Sequence, residues 1–250
     1  MKKAQPVFIA GLLALVLVFT GILTQPAEVK AASSNKVLKV TNLSFSNKKE
    51  ASRFRGAEIR ATQLKTDKLT KSTMKLSGKV YIPVKAFTKK SDEIMISPEL
   101  VLTNSKDTDL GVIYCKYDVI LKYTGSGVEL YKQNGNYDNP KRSAIGSCAT
   151  VKKSGNYYLV TLKNLPLTGD CLDAEDNLVS INTKKNYVLN PGFTIFSTTA
   201  KAWKGTVMVD DIQLKTASLT QKITFDKADY KGIFAKNWAF GDPKASVAKL

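Results

Sequence analysis

The sequence predicts an all-β protein built as an antiparallel β-sandwich, and three observations support this prediction. Alternating or β-rich runs recur at short intervals, turn-forming residues separate them, and no stretch keeps the 3.6-residue apolar period of a helix for long. Such sheets bury alternate side chains against each other. The predicted strands are Val37–Thr41, Ala57–Leu64, Met74–Val84, Glu99–Thr103, Val112–Tyr123, Val128–Lys132, Tyr157–Leu162, Phe193–Ser197, Thr206–Leu214 and Lys222–Phe225.

Four short segments carry the turn chemistry that separates these strands. They read GSG at 125–127, NG at 134–135, SGN at 154–156 and NPG at 190–192. Glycine and asparagine tolerate the left-handed backbone of tight turns, and proline presets the first turn angle. We therefore expect a chain reversal at each of them.

The first 31 residues predict export. Lys2 and Lys3 precede VFIAGLLALVLVFTGIL (7–23), an unbroken apolar run, and small residues follow near position 31. This order is typical of a signal peptide, here 1–31, so we expect a secreted or cell-surface protein. The apolar run is also close to the length that spans a bilayer, which leaves an uncleaved membrane anchor as the alternative.

The remainder divides by composition into two parts. We predict one β-sandwich domain over 36–216 and a linker with a C-terminal segment over 217–250. The C-terminal segment is too short for a second sandwich. It is either a strand added to the first domain or the start of a truncated second module.

The chain is strongly basic, with 38 basic against 21 acidic residues and a net charge of +17. Such a surplus attracts anionic polymers in general. All but four of the basic residues are lysine, whereas sites that grip phosphate favour the bidentate fork of arginine. We therefore expect no nucleic-acid partner. Cell-wall polyanions remain possible anionic partners. We expect the protein to be a monomer.

Three cysteines occur, and histidine is absent. Cys115 lies within a predicted strand and is expected to be a buried thiol. Cys148 and Cys171 lie in loop-like sequence on either side of one strand, which makes them the candidate disulfide pair in an oxidising compartment. Their spacing fits no zinc site.

One strand, WKGTVMVDDIQL (203–214), carries two adjacent aspartates in an otherwise apolar run. Strict alternation places Asp210 on the same face as Met208 and Ile212. A buried carboxylate needs a partner. The open alternatives are calcium, backbone N–H groups, or an arginine.

The runs STMKLSGKVYIPVKAF (72–87), NYYLVTLKNLPL (156–167) and WKGTVMVDDIQL resemble the jelly-roll carbohydrate-binding modules found beside secreted bacterial polysaccharide hydrolases. The resemblance covers roughly 37–214. It implies a jelly-roll sandwich that binds polysaccharide. It also implies that Asp210 helps to hold a structural calcium ion, for which Glu50 and Glu58 are the acids available near the N-terminal strand.

Sugar binding requires aromatic faces for the C–H side of a pyranose and polar groups for its hydroxyls. The segment YKQNGNYDNPKR (131–142) combines both. A further aromatic residue, Trp203, precedes the predicted strand Thr206–Leu214. The candidate sugar-binding residues are Tyr131, Asn136, Tyr137, Arg142 and Trp203.

These observations predict an exported, non-catalytic carbohydrate-binding module for a polysaccharide or cell-wall glycan. One alternative is a cell-wall or surface structural module that binds anionic envelope polymers through its lysines. A second alternative is a small jelly-roll enzyme acting on glycans. No catalytic residue is predicted, because histidine, a nucleophile elbow and a phosphate loop are all absent from the sequence.

Overall fold

The structure is a computed structural model that describes residues 35–45, 56–61, 66–68, 74–103, 109–134, 140–168, 170–173, 177–182, 185–197, 203–217, 220–226, 232–234 and 240–250. The predicted signal segment 1–31 and the candidate residues Asn136 and Tyr137 lie outside these ranges. Within the described ranges, no helix is long and apolar enough to cross a membrane.

Strands make up most of the described chain, with two short 3-10 helices at Val84–Ala86 and Gly146–Cys148. The strands are β1 Lys36–Phe45, β2 Gly56–Ala61, β3 Thr66–Lys68, β4 Lys75–Pro83, β5 Glu93–Thr103, β6 Asp109–Tyr114, β7 Asp118–Tyr123, β8 Val128–Asn134, β9 Lys141–Ala144, β10 Ala149–Ser154, β11 Tyr157–Pro166, β12 Cys171–Leu172, β13 Leu178–Val179, β14 Asn186–Ser197, β15 Trp203–Lys215, β16 Thr220–Ile223, β17 Gly232–Phe234 and β18 Phe240–Lys249.

These strands form two antiparallel sheets. Sheet A has the order β10-β11-β4-β15-β1-β18, with β16 also paired to β15. In sheet B, β14 lies between β5 and β2, while β5 pairs on its other side with β6 and β7, and β7 leads outward to β8 and β9. The chain passes repeatedly from one sheet to the other, as β1, β4, β11 and β15 belong to sheet A and β2, β5, β7 and β14 to sheet B. The predicted all-β antiparallel sandwich of jelly-roll type is confirmed.

The core lies between the two sheets and takes alternate residues from each strand. Val80 and Ile82 of β4 and Ile96 and Leu100 of β5 are fully buried in it, whereas their sequence neighbours point outward. Gly78 allows a close contact between the sheets, because a Cβ atom there would lie 2.6 Å from the ring of Phe193.

Strict alternation of side chains was predicted along the twin-aspartate strand, which is β15. This prediction is wrong for the residues after Asp210. The register of β15 against β4 shifts between Asp210 and Gln213, and Asp211 has the left-handed angle φ 50°. A β-bulge of this kind places one extra residue on the strand and breaks strict alternation. Val207 and Val209 before the bulge, and Ile212 after it, all reach the main core, while Met208 packs in a separate cluster outside it.

The turn predicted at 190–192 is also wrong, because NPG lies inside β14. On one side, β14 pairs without interruption with β5, and Pro191 lies opposite Leu100. On the other side, β3 pairs with 186–188 and β2 with 192–196, so Pro191 lies between the two partner strands. Proline is tolerated where no ladder hydrogen bond is required of its nitrogen.

Described parts of the C-terminal segment add strands to both sheets. β16 pairs with β15 and β18 with β1 in sheet A, while β17 pairs with β2 in sheet B. The boundary at residue 216 itself stays a prediction.

We predict that Gly78→Ala destabilises the fold by about 1–3 kcal/mol, since the added methyl overpacks the core against Phe193. Chemical denaturation gives the change in free energy of unfolding. Gly127→Ala is the matched control, because no heavy atom lies within 4 Å of a Cβ atom at that position. Equal stability of the two variants would contradict the close contact.

Candidate functional site

Sheet B carries a layer of polar side chains on the side that faces away from the main core, and most of this layer is buried, together with the apolar residues Met95, Val101 and Ile120. Its position follows from alternation on β5, where Ile94, Ile96 and Leu100 point inward and Glu93, Ser97 and Glu99 point to the other side of the sheet. We call it the polar face and define it by the side chains of Glu93, Ser97, Glu99, Asp118, Gln133, Arg142, Asn190 and Thr194, with Tyr131 at its β8 edge.

Several members of the polar face are buried and bonded to each other. Ser97, Glu99 and Thr194 are each at most 5% exposed. Thr194 Oγ1 donates a 2.5 Å hydrogen bond to Glu99 Oε1, and Asn190 Nδ2 donates one of 3.0 Å to Thr103 Oγ1. Mutual hydrogen bonds of this kind satisfy buried polar groups and hold them in fixed positions.

The β8–β9 edge of the polar face contains two of the predicted sugar-binding residues. Arg142 binds both carboxylate oxygens of Glu93, at 2.7 and 2.8 Å, and its Nε donates to Gln133 Oε1 at 3.1 Å. The carboxylate raises the pKa of Arg142. Tyr131 donates from its hydroxyl to Glu129 Oε2 at 2.5 Å, and this hydrogen bond raises the tyrosine pKa. The fork of Arg142 therefore fixes the side chains beside an accessible aromatic ring.

Of the remaining predicted residues, Asn136 and Tyr137 lie outside the described residues. Trp203 begins β15 in sheet A, where its backbone pairs with Phe45, so it belongs to the other sheet. The sequence analysis missed Glu99, Asp118 and Thr194. The signal for Glu99 was the alternation of polar and apolar residues in EIMISPELVLT (93–103), which marks the outward positions of β5.

Asp118 is the group on the polar face with the most altered acidity. Burial raises its pKa to about 6, and a hydrogen bond with Ser97 lowers it by a smaller amount. The neighbouring Cys115 has a raised pKa because it is buried and because Asp118 and Glu99 are both close. A carboxyl that changes charge near pH 6 lies at the centre of the polar face.

Asp210 lies in sheet A and is fully buried. Its Oδ1 accepts the backbone N–H of Asp211 at 2.7 Å, whereas Oδ2 has no hydrogen-bond partner among the described residues. Burial raises its pKa to about 6. The side chain of Lys79 pairs instead with Asp211, which also binds Lys222 at 2.9 Å.

The calcium predicted at Asp210 has one clear ligand in these surroundings. The unpartnered Oδ2 is an oxygen of the kind that calcium binds, and the side chain of Asn35 is close enough to lower the pKa of Asp210. The described residues hold no group of three or more acidic or other metal-ligating side chains. Glu58 lies on β2 in sheet B, and Glu50 is outside the described residues.

The predicted disulfide is absent, because Cys148 and Cys171 are both free thiols. Cys171 is buried on β12, where a Cβ atom on Gly111 would lie 2.5 Å from its sulfur. Cys148 ends a 3-10 helix beside Tyr117, whose pKa is raised by burial and, to a smaller extent, by its hydrogen bond with Cys148. The expectation that Cys115 is a buried thiol is confirmed.

No protein-family model matches the chain, and no curated protein matches it either. One solved structure, the tailspike protein of Acinetobacter baumannii phage AM24, gives a TM-score of 0.20 at 9% sequence identity. The match covers 80% of this chain but only 29% of the tailspike chain. A superposition of this quality indicates neither a shared fold nor a shared activity.

We predict that stability falls as the pH rises from about 4 through about 6, in part because of Asp118. The folded state holds the proton of this carboxyl more tightly than the unfolded state does, so the cost of ionisation appears over this interval and is complete above it. Asp118→Asn removes the ionisation. Its melting temperature relative to the native protein should therefore be higher at pH 7 than at pH 4.

The same substitution at the exposed Asp170 serves as the control for the chemistry of the change. Melting curves of the native protein and of Asp118→Asn that shift in parallel across this pH range would show that Asp118 ionises without cost in the folded state.

Proposed function

We propose that the chain is a non-catalytic carbohydrate-binding module that holds a polysaccharide at the β8–β9 edge of sheet B. The observation that carries the proposal is the β8–β9 edge, where the ring of Tyr131 stands beside the exposed guanidinium of Arg142, which the buried Gln133 helps to hold. An aromatic ring stacks on the C–H side of a pyranose, and amide and guanidinium groups bind its hydroxyls.

The rigidity of this edge supports binding. Arg142 is held by three hydrogen bonds to Glu93 and Gln133, so its side chain loses little further freedom when a ligand arrives. Pre-ordered groups bind more tightly because the entropy of ordering is already lost before association. Antiparallel strands also place such side chains at regular spacings of about 4.8 Å, which suits an extended polymer.

The hydrogen-bonding pattern favours binding over catalysis. Glycoside hydrolysis uses one carboxylic acid and one carboxylate that both reach the scissile bond. Here Glu99 is buried and accepts a hydrogen bond from Thr194, while Glu93 is engaged by Arg142. Release of new reducing ends from a glycan during incubation would support the enzyme alternative instead.

We predict that Tyr131→Ala weakens polysaccharide binding by about 1–3 kcal/mol, which is the expected range for loss of an aromatic stacking surface. Tyr131→Phe is the matched control, because it keeps the ring and removes only the hydroxyl bonded to Glu129. Retardation in native affinity gels with a panel of soluble polysaccharides measures both. A loss of equal size in the two variants would assign the effect to the hydroxyl and contradict stacking.

We also propose that Asp210 binds a structural calcium ion through Oδ2. Calcium takes six to eight oxygen ligands, so Asn35, backbone carbonyls and water would have to complete the set. The ion would neutralise a carboxylate that is otherwise buried with one oxygen unpartnered. Its contribution would be to stability, since Asp210 lies on sheet A and the proposed sugar site on sheet B.

We predict that saturating calcium raises the melting temperature of the native protein and leaves that of Asp210→Asn unchanged. A ligand at about one hundred times its Kd stabilises a folded protein by about 2.7 kcal/mol. Differential scanning fluorimetry with calcium and with chelator makes the comparison, and magnesium at equal concentration controls for ionic strength. Superimposable melting curves of the native protein in calcium and in chelator would show that Asp210 binds no calcium ion.

A further inference from the structure

The side of sheet A that faces away from the core is rich in lysine. Outward positions follow from alternation, since Leu38 and Val40 on β1 and Leu76 and Val80 on β4 point into the core. We call this surface the lysine face and define it by Lys39, Lys75, Lys79, Lys152, Lys215 and Lys222, which lie on β1, β4, β10, β15 and β16. Lys75, Lys152, Lys215 and Lys222 are exposed.

Acidic side chains compensate only part of this charge. Among the described outward positions of sheet A, the acids are Asp210 and Asp211. Asp211 forms ion pairs with both Lys79 and Lys222. The lysines at the two ends of the sheet are not partners of Asp211. The lysine face is therefore locally positive.

Two of the lysines oppose each other directly. Lys75 of β4 and Lys215 of β15 are cross-strand partners in the register of sheet A. Like charges at directly opposed positions destabilise a sheet, and a bound anion would relieve the repulsion. This pair is the feature of the lysine face that points to a negatively charged ligand.

The polar face of sheet B has the opposite character. Its described charged side chains are Glu93, Glu99, Asp118 and Glu129 against Lys122 and Arg142. The charged side chains described on this side of sheet B are therefore four acids against two bases, whereas those of the lysine face are mainly basic. A polyanion would be repelled from the polar face and attracted to the lysine face.

We propose that the lysine face is a second binding surface, which takes an acidic polysaccharide whose carboxylates lie over Lys75 and Lys215. Lysine ammonium groups are compact point charges that attract carboxylates without demanding a fixed geometry. None of the four arginines lies in the described strands of sheet A, so the bidentate contacts that favour phosphate are missing from the described face. This argues for a polyuronate over a nucleic acid.

The proposal is tested by measuring polygalacturonate binding to the full chain and to three variants of it, with calorimetry at low salt. Lys75→Gln combined with Lys215→Gln should lower the affinity roughly five- to tenfold, because each exposed ion pair contributes little by itself. Lys89→Gln combined with Lys90→Gln removes the same charge from the exposed loop before β5 and should change the affinity less than twofold. Lys215→Glu should weaken binding further.

Lys215→Glu is expected to change the melting temperature and the affinity in opposite directions, which a general loss of positive charge would not do. It converts the repulsive pair with Lys75 into an attractive one, so the ligand-free protein should melt at a higher temperature while its polygalacturonate affinity falls. Equal losses of affinity in the Lys75/Lys215 and Lys89/Lys90 variants would overturn the proposal, as would tighter binding of duplex DNA than of polygalacturonate at equal charge. Absence of polygalacturonate binding by the native protein would overturn it outright.

The proposed function fails separately. Neutral polysaccharide binding depends on Tyr131 and should be insensitive to the Lys75 and Lys215 changes. Raising the salt concentration to roughly 0.5 M should abolish polygalacturonate binding and leave the neutral polysaccharide bound, because only the first depends on unscreened charge.

Discussion

The bulge in β15 is the constraint on which both the core side and the outer side of sheet A depend. β15 lies between β4 and β1, so its side chains must meet neighbours on both edges as well as the core. The left-handed Asp211 shifts the register once and allows Val209 and Ile212 to reach the core from positions that strict alternation separates. Asp211 is the extra residue at this shift, and together with Asp210 it places its carboxylate on the outer side of sheet A.

Asp211 tolerates this position because two ammonium groups surround it. Hydrogen bonds to Lys79 and Lys222 lower its pKa despite partial burial, so it stays ionised. Asp210 has no comparable partner, and its burial therefore raises its pKa instead. Two adjacent carboxyls thus differ in acidity by their surroundings alone, and only the buried one carries an oxygen available to an ion.

The strands were predictable from the sequence because sandwich strands bury alternate residues. The resulting two-residue period of apolar side chains is visible in a single sequence. Sequence reasoning failed where one backbone angle altered the period, as at Asp211, and where a proline occupied a gap between partner strands, as at Pro191. It also paired Cys148 with Cys171, since linear spacing does not reveal that one thiol is buried on β12 and the other lies beside Tyr117. Part of the proposed site was predictable: Tyr131 and Arg142 were identified from a loop of mixed aromatic and polar residues, whereas Glu99 required knowledge of which β5 face points outward.

Net charge was informative about the chain and misleading about its surfaces. A surplus of +17 suggests a uniformly basic protein, but Glu93, Glu99, Asp118 and Glu129 share one side of sheet B, whereas the outer side of sheet A carries Lys75, Lys79 and Lys215. Coulombic attraction decays within about 8–10 Å at physiological salt, which is less than the thickness of a two-sheet sandwich with its side chains. Each face therefore presents its own charge to a ligand. The two proposed ligands, a neutral glycan on sheet B and an acidic one on sheet A, would therefore not compete for the same groups.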